Sequence, residues 1–188
     1  MTQDFFVEAD PSFLISETEL NHPVRSLIAE LAKEVGRNVL DVGCNVCMDY
    51  PYMTAKDLIY VGVDKYSQFI IRAQELYPKV AVRTADVFSL PFDDNLFHTV
   101  YCKDLLEHLE YDRVPDALSE MWRVANRMMM LSFFNMPLKK KISWHDSGFW
   151  NNTLDSMELR RWLHALGVRS TRIIPNVLDR QELWILKP

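Results

Sequence analysis

The chain has 188 residues, the usual span of one domain, and 48% of them are hydrophobic, enough for one sizeable core. Its net charge is −5 and its only basic run is Lys139-Lys140-Lys141, so a large nucleic-acid substrate, which needs a basic face to neutralise phosphates, is disfavoured. No apolar run approaches the roughly 18 residues of a membrane span, the acidic start Met1-Thr2-Gln3-Asp4 lacks the pattern of a signal peptide, and Cys44, Cys47 and Cys102 are too few for a disulfide framework; a reduced, cytoplasmic protein is expected.

Along the chain, Asp4 to Leu20 reads as an irregular, Phe-rich arm. Asn21 to Val35 carries Val24, Leu27, Ile28, Leu31 and Val35 at the three-four spacing of an amphipathic helix, with Pro23 in its first turn and Gly36 at its end. Four short apolar runs then predict strands: Asn38 to Val42, Leu58 to Asp64, Val80 to Arg83 and Leu96 to Cys102. Tyr66 to Tyr77 is predicted helical and stopped by Pro78, and Asp112 to Asn126 helical with Pro115 near its start. Arg127 to Phe134 is a fifth strand, Met-rich on both faces and therefore buried. Alternation of strands and helices predicts a parallel sheet covered on both sides. Asn135 to Asn152 reads as a long loop, and Asp155 to Leu166 as a helix capped by Thr153 or Asp155 and stopped by Gly167. Arg169 to Ile174 and Glu182 to Leu186 are too close for a helical crossover, so they form an antiparallel pair.

Three strand ends carry candidate chemistry. Val39 to Cys47 is a buried strand running through Asp41 into a turn with Gly43, which admits close approach of a ligand, and Asn45, which tolerates left-handed backbone; an ordinary turn is the plainer alternative. Asp64 ends the second strand, 23 positions after Asp41, where a carboxylate can accept from both hydroxyls of a ribose; it also suits a cap for the helix that follows, and both roles can hold. Asp86, with Val87 after it, can accept from an adenine amino group beyond the third strand.

Together with Leu90-Pro91-Phe92-Asp93-Asp94-Asn95-Leu96-Phe97 and Leu105-Leu106-Glu107-His108-Leu109, these residues resemble the class I S-adenosylmethionine-dependent methyltransferase family, in its compact members acting on small molecules. The resemblance runs from Val39 to Phe134. It implies a Rossmann-like, doubly wound α/β sheet of seven strands in the order 3-2-1-4-5-7-6, the seventh antiparallel. One domain over 1–188 would then divide into an arm and helix covering the site (1–36), a cofactor-binding core (37–134) and a substrate-side loop, helix and terminal strands (135–188). By position, Asp41, Gly43 and Asn45 would frame the methionine part of S-adenosylmethionine, Asp64 with Lys65 beside it the ribose, and Asp86 with Val87 the adenine. Lys103 would line the sulfonium side through its backbone. Two departures stand out: Cys47 replaces a usual glycine, and His98 replaces a common aspartate, the latter expected to be a surface matter.

For the acceptor, methyl transfer is an in-line displacement that needs alignment and sometimes a base. His108 and His145 are the candidate catalytic residues, with Asp104 and Tyr111 as further candidates. A structural role is the competing reading of His108, and the aromatics beside His145, Trp144 and Trp150, serve equally as loop anchors. No Asn-Pro-Pro-Tyr or Pro-Cys motif occurs, which leaves amino-methylation of adenine and C5-methylation of cytosine without their signatures. Other readings are a non-catalytic cofactor- or partner-binding protein on the same fold, a nicotinamide enzyme (Gly43, Asn45 and Met48 give one glycine of three), a redox pair Cys44–Cys47, and a zinc site from those two with Cys102 and His108. No metal site is expected.

Overall fold

The computed structural model describes residues 22–133, 138–146, 148–175 and 182–187. In chain order the elements are α1 (His22–Val35), β1 (Asn38–Val42), α2 (Tyr50–Thr54), β2 (Ile59–Asp64), α3 (Ser67–Leu76), β3 (Ala81–Thr84), β4 (Phe97–Lys103), α4 (Val114–Val124), β5 (Ala125–Phe133), β6 (Trp144–His145), β7 (Phe149–Trp150), α5 (Ser156–Ala165), β8 (Ser170–Pro175) and β9 (Glu182–Lys187). Seven strands form one sheet in the order β3-β2-β1-β4-β5-β9-β8. The first five are parallel, and β9 runs antiparallel to β5 and β8. That is the expected order and terminal antiparallel pair.

Alternation along the central strands builds two cores. Leu40 and Val42 of β1, Val100 and Cys102 of β4, and Met129 and Leu131 of β5 face α4 and α5. Val39, Tyr101, Met128 and Met130, from the same strands, face α1, α2 and α3. Both faces of β5 are thus buried, as its methionine-rich run predicted, and the unbranched side chains fill two differently shaped layers. Helix ends follow local chemistry. The Asp155 carboxylate caps α5, accepting from the Met157 and Glu158 amides at 2.9 and 3.0 Å.

Three expectations are corrected. Helix α2, absent from the sequence reading, forms after the first turn because Pro51 sits in its first positions. His98 is not a surface matter: its Nδ1 accepts from the Asn38 amide at 3.2 Å, and its ring fills the space that a Cβ on Gly36 would take, 2.3 Å from His98 Cγ. Helix α1 packs on β4 and β5, and none of its described residues lines the cavity described below. The Phe-rich arm expected to cover the site lies outside the described residues. Among the described residues, no helix is long and apolar enough to cross a membrane.

Candidate active site

A cavity of about 360 Å³ opens at the carboxyl ends of β1, β2 and β4, where an open α/β sheet places its ligands. Its floor is the turn after β1. The Gly43 and Cys44 amides both donate to the Val63 carbonyl, at 2.9 and 3.0 Å, which ties the turn to β2. Gly43 has a φ of 76°, and a Cβ there would stand 3.0 Å from Leu105 Cδ1, so only glycine fits without displacement. Asn45 is also left-handed, at φ 50°, its Oδ1 accepting from the Val46 amide at 2.7 Å.

Cys47 takes the same conformation, with φ 60°, where an L side chain costs about 1–2 kcal/mol. Its sulfur does not enter the cavity. A Cβ built on Gly62 of β2 would meet Cys44 Sγ at 2.9 Å and Cys47 Sγ at 3.1 Å, so the bare backbone of β2 makes room for both thiols on the α1/α2/α3 side. Cys102 faces the opposite core, so the three cysteines cannot converge on a metal. Burial pushes the Cys44 and Cys102 thiols up and keeps them protonated. No group of metal-ligating side chains occurs among the described residues.

Asp64 ends β2 on the cavity wall, its Oδ2 accepting from the Asn45 amide and its Oδ1 from the Tyr66 amide, each at 3.0 Å. Each oxygen keeps a second lone pair for a ligand hydroxyl, and burial pushes the carboxyl above its usual range. Lys65 lies beside it with its Nζ 4.5 Å from the centre of the Tyr66 ring. Just beyond β3, Asp86 accepts from the Phe88 amide at 3.0 Å, and Val87 and Phe88 also line the cavity.

The mouth is built by the segment after β4. Asp104, left-handed at φ 55°, is held by Ser132 Oγ at 3.1 Å and Lys103 Nζ at 2.8 Å. His108 lines the cavity with its Nδ1 2.8 Å from the Trp150 carbonyl. A carbonyl can only accept, so Nδ1 carries the proton and Nε2 the lone pair. Burial lowers the His108 pKa, which keeps the ring neutral near pH 7. The fully buried Asn152 fixes this corner: its Nδ2 donates to the Leu109 carbonyl at 2.8 Å, its Oδ1 accepts from the Ser143 amide at 3.1 Å, and its own amide donates to the Glu107 carbonyl at 2.9 Å.

Residues 40–128 match the family described as a methyltransferase domain. Over those residues the chain is similar to that family. No curated protein sequence matches it significantly. Among solved structures, the chain resembles an S-adenosylmethionine-dependent methyltransferase from Archaeoglobus fulgidus (18% identity, 95% of this chain and 100% of that one, TM-score 0.72). It also resembles Burkholderia thailandensis 1,6-didemethyltoxoflavin-N1-methyltransferase with bound 1,6-didemethyltoxoflavin and S-adenosylhomocysteine (17%, 94% and 85%, TM-score 0.66). Magnesium protoporphyrin IX methyltransferase from Synechocystis PCC 6803, with bound S-adenosylmethionine, is similar too (17%, 97% and 87%, TM-score 0.69). At these identities the likeness is one of fold.

The structure brings Gly43, Asn45, Asp64, Lys65, Asp86, Val87 and His108 to one cavity. It does not bring Asp41, Lys103 or His145 there. The Asp41 carboxylate lies under the turn on the α1/α2/α3 side, accepting from Tyr60 Oη at 2.6 Å, and burial pushes its pKa up to about 6. Lys103 falls one residue short, the wall being Asp104 and Leu105. His145 stacks on Phe149 with ring centres 4.6 Å apart, and Phe149 in turn meets His108 at 5.5 Å, so one aromatic ring separates the two histidines. Tyr111 is structural: its hydroxyl donates to Glu158 at 2.7 Å, and its pKa is pushed up to about 12. Tyr66, Phe69, Phe88 and Arg113 line the cavity and were not singled out in the sequence. The signal available was position, since Tyr66, Phe69 and Phe88 each lie within five residues of Asp64 or Asp86.

Proposed function

We propose that this chain is a class I S-adenosylmethionine-dependent methyltransferase and transfers the cofactor's methyl group to a small acceptor that enters beside His108. The observation that carries the reading is the juxtaposition, in one cavity, of the Gly43–Asn45 turn, two carboxylates after the adjacent strands β2 and β3, and a neutral histidine of fixed tautomer. The cofactor fits the residues present. The volume lies in the range of small-molecule sites, Val42, Val63, Phe69 and Leu105 offer apolar walls, and Asp64 and Asp86 offer acceptors for ribose hydroxyls and an adenine amine. When bound, S-adenosylmethionine supplies a methyl group on a sulfonium that an acceptor displaces in line.

The chain's own residues then have separate tasks. The backbone of Gly43 and Asn45 admits the cofactor's amino-acid end closely, and Asp64 orients the ribose. Val87 packs the adenine edge beside Asp86. His108 takes the acceptor's proton at Nε2 while Nδ1–H stays on the Trp150 carbonyl, so the ring cannot rotate out of line. A small acceptor is in keeping with the cavity volume and with the acceptors named for the neighbouring structures, a toxoflavin precursor and magnesium protoporphyrin IX. A cytoplasmic location is in keeping with three free, buried thiols.

Calorimetric titration with S-adenosylmethionine and S-adenosylhomocysteine tests the first half, with Asp64→Ala as the control that should weaken both. Absence of binding tighter than about 1 mM by the wild-type chain, about −4 kcal/mol, overturns the reading. Binding without turnover on any of a broad panel of small nucleophiles would instead favour a binding protein on this fold.

A further inference from the structure

Arg113 ends a 3-10 turn (Tyr111–Arg113) that runs directly into α4, its amide donating to the Glu110 carbonyl at 2.9 Å, and its side chain makes no capping bond. Its positive charge stands at the positive end of the helix dipole, an unfavourable place for a cation. The surface ion pair with Asp116, at 3.7 Å and half exposed, is too weak to account for it.

About half of the side chain is exposed, and its head lies over an aromatic ring. Its guanidinium carbon lies 3.6 Å from the centre of the Phe88 ring, and both residues line the cavity. Phe88 is itself aimed: its amide donates to Asp86 Oδ1 at 3.0 Å, and the Ser89 amide donates to the Asp86 carbonyl at 3.0 Å, which closes a tight turn. One wall therefore presents, in sequence, a carboxylate, the Val87 backbone, an aromatic ring and a planar cation held on that ring. A guanidinium is flat, weakly hydrated and stacks on aromatic faces. A purine offers such a face.

Resting on the cofactor reading above, we propose that Arg113 is a cofactor-binding residue that closes the adenine subsite, pre-ordered by its stacking on Phe88. The cation–aromatic pair removes the flexibility of a long side chain before the ligand arrives, so the residue adds affinity for the adenosine half of the cofactor and none for the methionine half.

Titration calorimetry with S-adenosylhomocysteine and with 5′-methylthioadenosine, which lacks the amino-acid end, separates the alternatives. Arg113→Ala should weaken both ligands by the same factor, about 5- to 30-fold. Arg113→Lys, which keeps the charge without the plane, should remain at least about 3-fold weak, and Phe88→Leu should shift both ligands in the same direction. Affinity of Arg113→Ala within about twofold of wild type for both ligands overturns the proposal. So does a loss confined to S-adenosylhomocysteine, which would place Arg113 at the methionine end, and so does a lowered melting temperature with unchanged affinity, the mark of a purely structural residue. Wild-type protein that binds neither ligand would overturn the cofactor reading itself, an outcome distinct from these.

Discussion

Replacing Gly62 by alanine tests the claim that β2 was left bare to house two sulfurs. The added methyl would stand 2.9 Å from Cys44 Sγ, 3.1 Å from Cys44 Cβ and 3.1 Å from Cys47 Sγ, all well inside ordinary contact. Cys44 and Cys47 are buried, and Cys44 Cβ is next to backbone, so the neighbours cannot swing aside freely. Overpacking of this kind costs about 1–3 kcal/mol, against which alanine in a strand recovers about 0.5–1 kcal/mol relative to glycine. A net loss of about 1–2 kcal/mol is expected, or about 2–8 °C in melting temperature for a chain of this size. Urea unfolding should show a lowered midpoint with an unchanged slope. In a Cys47→Ala background one of the three contacts is gone, so the same substitution should cost at least about 0.5 kcal/mol less, a coupling readable from the double-mutant cycle. Equal stability of Gly62→Ala and wild type, or an identical loss in both backgrounds, would refute the account.

Three further outcomes are expected. The Asp41 carboxyl is raised from the usual 3.8 to about 6 by burial, so the folded chain binds the proton more tightly than the unfolded one. Stability should therefore fall by about 2 kcal/mol between pH 4 and pH 6 relative to Asp41→Asn, whose amide does not titrate; parallel pH curves for the two proteins would count against it. His108→Asn should lower kcat by about 10²- to 10⁴-fold while leaving S-adenosylhomocysteine affinity within about threefold, and wild-type kcat should decline only below the ordinary imidazole range, since the pKa is lowered; turnover that survives the substitution removes the base role. Asn152→Ala strips partners from the Leu109 carbonyl and the Ser143 amide and should cost about 2–4 kcal/mol in urea unfolding, a loss below about 0.5 kcal/mol being the contrary result.

What could be read before folding was what depends on local order. Short apolar runs gave β1, β2, β4 and β5, the short gap before Glu182 gave the antiparallel pair, and acids at strand ends gave Asp64 and Asp86. What escaped depends on contacts remote in sequence. Whether Asp41 faces a ligand or a tyrosine is decided by the pairing of β1 with β2 and by the side of the sheet on which it lands. Lys103 and Leu105 differ by two positions, and the left-handed Asp104 between them determines which one reaches the cavity. His145 and His108 are alike in composition and setting, yet a two-residue hairpin interposes Phe149. Arg113 and Asn152 belong to the site's surroundings through partners 25 and 43 positions away, which no periodicity reveals.

The hydrogen bond from His108 to the Trp150 carbonyl spans 42 residues of chain. The proton position on the imidazole is thus written by a segment synthesised well after the cofactor turn, β2 and the adenine wall. During chain growth, the nucleotide-binding half would be assembled first, with the imidazole free to hold its proton on either nitrogen. Only when the β6–β7 hairpin docks does one tautomer become fixed, so the order of synthesis separates a formed cavity from a fixed imidazole beside it.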